Sequence, residues 1–163
     1  GPPGTGKTTW AAALVRAPDA IHLRSDVERK RLFGLAETEP LPAEAYRPEV
    51  SRAVHARIND LAEAALRAGQ AVIVDVIYQP AHGREAIAAE SRTCVPFAGL
   101  WLDAPIEATT QRVANRHGDA SDAIVAAQSK TDVGVMGWHR LNASQTPESL
   151  HAAASRLIHR SGS

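Results

Sequence analysis

The first nine residues, Gly1-Pro2-Pro3-Gly4-Thr5-Gly6-Lys7-Thr8-Thr9, constrain the fold more than anything that follows. They fit G-x-x-x-x-G-K-[ST] without a mismatch, the spelling of a loop that cradles phosphate. Glycines let successive backbone N–H groups turn inward onto an anion, a conformation that side chains would obstruct. Gly1, Gly4, Thr5, Gly6 and Thr9 then form the wall of a triphosphate site. Lys7 reaches the β- and γ-phosphates, and the Thr8 hydroxyl ligates Mg²⁺. The following helix aims its positive N-terminal end at the same anion. The plain alternative is a Gly/Pro-rich turn before an ordinary helix. Two glycines, a lysine and a hydroxyl at fixed spacing argue against it.

Such a loop follows a buried strand, yet no residue precedes Gly1. A parallel sheet lacking its central strand would have an open slot and unpaired backbone groups. The sequence therefore reads as an excerpt of a longer chain, its first strand lying upstream. With 163 residues it is long enough for one domain with a real core, and 44% hydrophobic content is ordinary. Cys94 stands alone, which excludes a disulfide framework and a cysteine metal site and suits a reducing, cytoplasmic setting. Eighteen basic residues balance 18 acidic ones, and aromatics are only 4%, which argues against a large nucleic-acid footprint. The seven histidines lack ligand spacing and read as surface or packing residues.

Apolar spacing predicts a helix from Thr9 to Ala17, a strand over Ala20–Arg24, and a helix from Ser25 to about Phe33 with Ser25 or Asp26 at its N-cap. Gly34 closes it. The proline-rich stretch Glu37 to Pro48 should be irregular. A long helix then runs to Ala68 with Val50, Val54, Ile58, Leu61 and Ala65 on one face, ended by Gly69. The β-branched run 71–76 reads as a strand buried on both faces. Further helices are expected over 81–92, 105–117, 122–130 and 147–159, and strands over 96–102 and 135–142. Strands alternating with helices predict an α/β fold with an open parallel sheet.

In such sheets ligands bind beyond the carboxyl ends of the strands, a rule that picks out Asp26, Asp75 and Asp103. Asp75 ends four apolar residues, the pattern of an acid that orients Mg²⁺ or its water; a helix-capping acid is the alternative. Asp26 can take the proton of an attacking hydroxyl, with Arg29 on the same helical face holding the acceptor. An N-cap acid with a surface ion pair explains the same spacing. Arg112 and Arg116, one turn apart, repel each other unless an anion lies between them. They suit a lid that closes over a triphosphate, about residues 112–123, or else a solvated basic face.

Together, the loop, Arg24-Ser25-Asp26-Val27-Glu28-Arg29, the strand ending at Asp75, Arg84, Arg112/Arg116 and Ala120-Ser121-Asp122-Ala123 carry a resemblance. The chain resembles the P-loop kinases related to polynucleotide kinase and zeta toxin, and within them an ATP-binding kinase module often fused behind an aminoglycoside-phosphotransferase-like domain. The resemblance implies a three-layer P-loop kinase fold over 1–163, with sheet order 2-3-1-4-5. It implies ATP-Mg²⁺ as donor, Asp26 as base, Arg29 as an acceptor contact with Arg84 on the substrate side, and Arg112 and Arg116 in the lid. Where that family continues Ala-Thr-Phe after the acid, this chain has Val76-Ile77-Tyr78, which removes a hydroxyl near the acceptor. The expected activity is transfer of the γ-phosphoryl group of ATP to a hydroxyl, with a small-molecule acceptor favoured. An ATP-binding or hydrolysing regulatory module is the rival, and a polynucleotide 5′-hydroxyl kinase ranks third.

Overall fold

The computed structural model describes residues 5–14, 20–77, 95–104 and 137–161. The helices expected over 81–92, 105–117 and 122–130 lie outside these residues, as does Cys94. The described elements are α1 (Lys7–Leu14), β1 (Ala20–Arg24), α2 (Ser25–Leu32), a 3-10 turn (Ala43–Tyr46), α3 (Pro48–Arg67), β2 (Ala71–Asp75), β3 (Leu100–Asp103), β4 (His139–Asn142) and α4 (Pro147–Ser161). They fall into two compact units, Thr8–Val76 and residues 1–7 with 77–163.

In the unit Thr8–Val76, β1 and β2 pair in parallel with Ala20 opposite Ala71 and Arg24 opposite Asp75. Helix α3 packs against both strands and against α2. Its Val54 and Ile58 are fully buried and form a core with Leu23, around which Val50, Leu61, Ala62, Val72 and Val74 gather. Each fully buried aliphatic side chain contributes roughly 1.5–3 kcal/mol. Val72, Ile73 and Val74 are only half-buried, less than the expected burial on both faces. The period-2 alternation explains this: α3 covers the side carrying Val72 and Val74, and Ile73 points the other way with Asp75.

Both helices end as the glycines foretell. Leu35 N–H donates to Lys30 O at 2.9 Å and Gly34 N–H to Arg31 O at 3.2 Å, while Gln70 N–H donates to Ala65 O at 3.0 Å and Gly69 N–H to Leu66 O at 2.9 Å. These are two Schellman closures, each needing a left-handed residue, met by Gly34 (φ +67°) and Gly69 (φ +79°).

Helix α2 is unusual in what it buries: Val27, Glu28, Arg29 and Lys30. Burying charge is costly unless it is paired or hydrogen-bonded, and Glu28 is paired while Arg29 and Lys30 are hydrogen-bonded. Glu28, only 1% exposed, accepts from Arg57 Nε on α3 at 2.7 Å and from Arg31 Nη1. Lys30 Nζ donates to Glu37 O at 2.7 Å, tying down the loop after α2. Arg29 Nη1 donates to Ala45 O in the 3-10 turn and, at 3.3 Å, to Ser51 Oγ on α3. The helix is therefore fastened on three sides, which fixes the direction of its N-terminal end.

The other unit contains β3 and β4, paired in parallel with Leu100 opposite His139 and Asp103 opposite Asn142. Trp101, Leu102 and Leu141 are buried, as are Leu150 and Ala154 of α4, which packs on β4. Thr146 Oγ1 accepts from Ser149 N–H at 3.3 Å, an N-cap that starts α4 with Pro147 in its first turn. Gly99 lies so close beneath Trp138 that a Cβ there would strike the indole ring.

Two stability predictions follow from the charges in Thr8–Val76. Glu28→Gln should cost about 1–3 kcal/mol, because it leaves two guanidiniums facing an amide in a buried place. Glu63→Gln, which breaks the exposed Glu63–Arg67 pair (2.5 Å), should cost under about 0.5 kcal/mol. Urea unfolding of both variants checks this; equal effects would refute the role given to Glu28. The second concerns His22 and His55. Burial pushes both below the ordinary histidine range; Arg29 lowers His55 further, and at His22 the Asp75 charge partly opposes the shift. The unfolded chain then binds more protons than the folded one just below about pH 6.5. Stability should be complete above that pH and fall as the solution is acidified from pH 7.5 to 5.5. A urea midpoint that rises on acidification would contradict this, and His22→Gln or His55→Gln should flatten the slope.

Candidate active site

Register and alternation bring His22, Arg24, Ile73 and Asp75 to one face of the β1–β2 pair, with Arg24 and Asp75 at its carboxyl end. This is the end at which open parallel sheets bind ligands. In the first turn of α1, Thr8 Oγ1 donates a hydrogen bond of 2.6 Å to Asp75 Oδ2. The Asp75 side chain is 6% exposed, so the hydroxyl satisfies a carboxylate that has little access to water. His22 Nε2 lies 4.0 Å from the same oxygen and is buried with no hydrogen-bond partner.

A hydroxyl and a carboxylate in contact are hard oxygen donors of the kind Mg²⁺ prefers. Among the described residues no group of three or more His, Cys, Asp or Glu could hold a metal by itself. Mg²⁺ is ordinarily held by one or two protein oxygens and completed by water and substrate phosphates. Thr8 and Asp75 thus fit the group that the loop motif calls for.

The loop residues before Thr8 have the expected conformational signature. Gly6 has φ +84°, a left-handed backbone that side-chain-bearing residues avoid, and Thr5 is buried at 3% exposure. Lys7 is half-buried and Thr9 exposed. Gly1, Gly4, Arg84, Arg112 and Arg116, with the lid about 112–123, lie outside the described residues.

Asp26 is the second residue of α2, next to the end of β1, with a side chain 46% exposed. Arg24 grips it with a fork: Nε donates to Oδ1 at 3.1 Å and Nη2 to Oδ2 at 2.5 Å. Two expectations are corrected here. The N-cap is Arg24, extended at φ −116° and ψ 126°, with no side-chain cap bond, because the Asp26 oxygens are engaged by the guanidinium. Nor does Asp26 pair with Arg29. Arg29 is 9% exposed, bound to Ala45 O and Ser51 Oγ, with its guanidinium carbon 5.5 Å from the centre of the Tyr46 ring. Burial lowers its pKa, partly offset by Tyr46.

Spacing gives His22 and Glu28 no site role, and Arg24 enters only in the run that carries the resemblance and as a lining residue of a basic channel under the polynucleotide kinase alternative. Arg24 had one available signal, its place as last residue of a strand on the same side as a second acid. That signal needs the strand register, which no local pattern supplies. Asp103 ends β3 as expected; its exposed carboxylate is 3.7 Å from Arg140 Nη1, and both line an open depression with Ala104, Leu141 and Asn142. Among the described residues, no helix is long and apolar enough to cross a membrane.

Comparison with known proteins gives the same architecture. A sugar kinase from Janibacter sp. HTCC2649 is similar at 21% identity and TM-score 0.67, over 96% of this chain and 89% of that one. A protein of Chloroflexus aurantiacus aligns with TM-score 0.71 at 19% identity, over 99% and 93%. A gluconokinase from Sinorhizobium meliloti 1021 aligns with TM-score 0.65 at 17% identity, over 98% and 88%. At these identities the likeness establishes the fold, a P-loop NTPase/kinase fold. No curated protein matches the chain. A family model covers residues 1–133, from the phosphate loop through Asp26 and Asp75, and the chain accordingly belongs to the AAA_33 family, described as an AAA domain.

Proposed function

We propose that this domain is an ATP-dependent kinase that transfers the γ-phosphoryl group to a hydroxyl of a small-molecule acceptor. The observation that carries the reading is the 2.6 Å contact of Thr8 with the buried Asp75, one strand away from the exposed carboxylate of Asp26. A phosphate loop alone serves any nucleotide-binding protein. A second carboxylate, open to solvent at the same sheet end, suits a site that also activates an acceptor.

In this reading the loop from Gly1 through Thr9 wraps the triphosphate, and Lys7 neutralises charge on its β- and γ-oxygens. Thr8 and Asp75 would hold Mg²⁺, which would supply charge neutralisation at the phosphate oxygens. Asp26 orients the acceptor hydroxyl and takes its proton. The acceptor oxygen bonds to the γ-phosphorus as the bond to the β–γ bridging oxygen breaks, its electron pair leaving with ADP. Arg29, which the resemblance makes an acceptor contact, braces the wall of the acceptor site from its buried place on the 3-10 turn and α3; Arg84 stands on the substrate side. Arg112 and Arg116 close over the donor. If the strand expected upstream of the loop is counted as the first, β1–β2 and β3–β4 become the pairs 2-3 and 4-5 of the order 2-3-1-4-5, which we take as the order of the whole sheet over one domain, 1–163. Kinship with polynucleotide kinase and zeta toxin, and an upstream phosphotransferase-like partner domain, belong to the same reading. Two fold neighbours, a sugar kinase and a gluconokinase, support a small polyhydroxylated acceptor.

Asp26→Asn should lower turnover by about 10²–10⁴-fold while leaving ATP affinity within a few-fold. Labelled phosphate transfer from ATP into a metabolite panel, alongside nucleotide titration, measures both. Undiminished transfer by the variant would remove Asp26 from the chemistry. ATP hydrolysis without any phosphorylated acceptor, unaffected by Asp26→Asn, would favour a regulatory nucleotide-binding module instead.

A further inference from the structure

We propose that Arg24 makes this site selective for acceptors carrying an oxyanion, a carboxylate or a phosphate, close to the hydroxyl that is phosphorylated. The inference rests on Asp26 as the residue that receives the acceptor hydroxyl, and it goes further by naming the acceptor's chemical class.

The geometry divides the guanidinium into two edges. One edge, Nε and Nη2, is spent on Asp26. The other, Nη1 with the second N–H of Nη2, faces Glu37 among the described residues: Oε2 lies 4.0 Å from Nη1, beyond hydrogen-bond distance, on a side chain 63% exposed. A planar fork with a free edge is the ordinary receptor for an oxyanion, which it can bind through two parallel N–H···O bonds. The Arg24 side chain is 32% exposed, so a solute can reach that edge.

The surroundings make this edge the cation an acceptor would meet at the start of α2. Arg29 and Lys30 point inward and are 9% and 7% exposed, the first on Ala45 O and Ser51 Oγ, the second on Glu37 O. Arg31 is bound to Glu28. Among the described residues the charged groups within 4.0 Å of the Arg24 guanidinium are acidic, Asp26 and Glu37, and Asp75 stands opposite Arg24 in the strand register. A neutral polyol gains little from the free edge. An acceptor with an oxyanion a few ångströms from its reacting hydroxyl spans both partners at once, with the anion on Arg24 and the hydroxyl on Asp26. The same guanidinium then fixes the base and the substrate in one plane, and the bond changes of the transfer stay as described above.

The test uses matched probes: gluconate against glucitol for a carboxylate, and glucose 6-phosphate against glucose for a phosphate. Binding is measured by calorimetric titration and turnover by ADP release, on the native chain, Arg24→Met, Arg24→Lys and Asp26→Asn. Circular dichroism verifies that each variant folds. We expect at least one anionic probe to bind and to be turned over about tenfold or more efficiently than its neutral partner. Arg24→Met should cut that ratio at least about tenfold, chiefly through KM of the anionic acceptor, with KM for ATP unchanged. Arg24→Lys should recover part of the ratio, since it keeps charge without the fork. Which pair responds tells carboxylate from phosphate. The proposal is overturned if no anionic probe binds, if neutral probes serve equally well, if Arg24→Met weakens both classes alike, or if it raises KM for ATP instead. Full turnover by Asp26→Asn would remove the base assignment, while anion binding sensitive to Arg24 would still stand in the titration.

Discussion

A hydroxyl in the first turn of α1 and a carboxylate at the tip of β2, 67 residues apart in sequence, meet at 2.6 Å. Much of the unit Thr8–Val76 can be understood as the condition for that meeting. Asp75 is buried, and a buried carboxylate without a donor is costly. It reaches Thr8 only while β2 keeps its register against β1, since a slip of one residue would turn Asp75 toward α3 and the aliphatic core. The register in turn depends on Val72 and Val74 packing against Val54 and Ile58. The hydrophobic side of the sheet thus fixes the chemistry on its polar side.

Helix α2 solves a related problem by other means. Its exposed Asp26 must point in a defined direction, but eight residues with a largely charged sequence bring little apolar surface to hold the helix. Three buried charges supply the attachment: Glu28 to Arg57, Arg29 to the 3-10 turn and α3, and Lys30 to the loop that follows. Buried ion pairs are weak contributors to net stability, but removing one partner is expensive, so such contacts specify position more than they add free energy.

Much of this unit was legible in the sequence because its signals are local. The apolar face of α3 and the closing glycines at 34 and 69 required only spacing and conformational preference. The acids at 26 and 75 followed from strand ends. What was not legible depends on residues distant in sequence: Glu28 reads as a surface charge until Arg57 is brought to it, 29 residues on. Spacing of one helical turn puts Arg29 on the face of Asp26, as an acceptor contact or else an ion-pair partner. In the fold its side chain is drawn inward by Ala45 and Tyr46, and Arg24 takes its place. Strands β3 and β4 are shorter than their apolar runs suggested, beginning at Leu100 and His139.

If Thr8 and Asp75 are the pair that links Mg²⁺ to the bound triphosphate, their contribution appears in the coupling between metal and nucleotide, before any chemistry. The most direct measurement is ATP affinity with Mg²⁺ and with EDTA, for the native chain and for Asp75→Asn. The account predicts that the native chain binds ATP about tenfold or more tightly when Mg²⁺ is present. In Asp75→Asn most of that difference should vanish, while the affinity in EDTA is retained. A native chain indifferent to Mg²⁺, or a variant that keeps the full coupling, would contradict it.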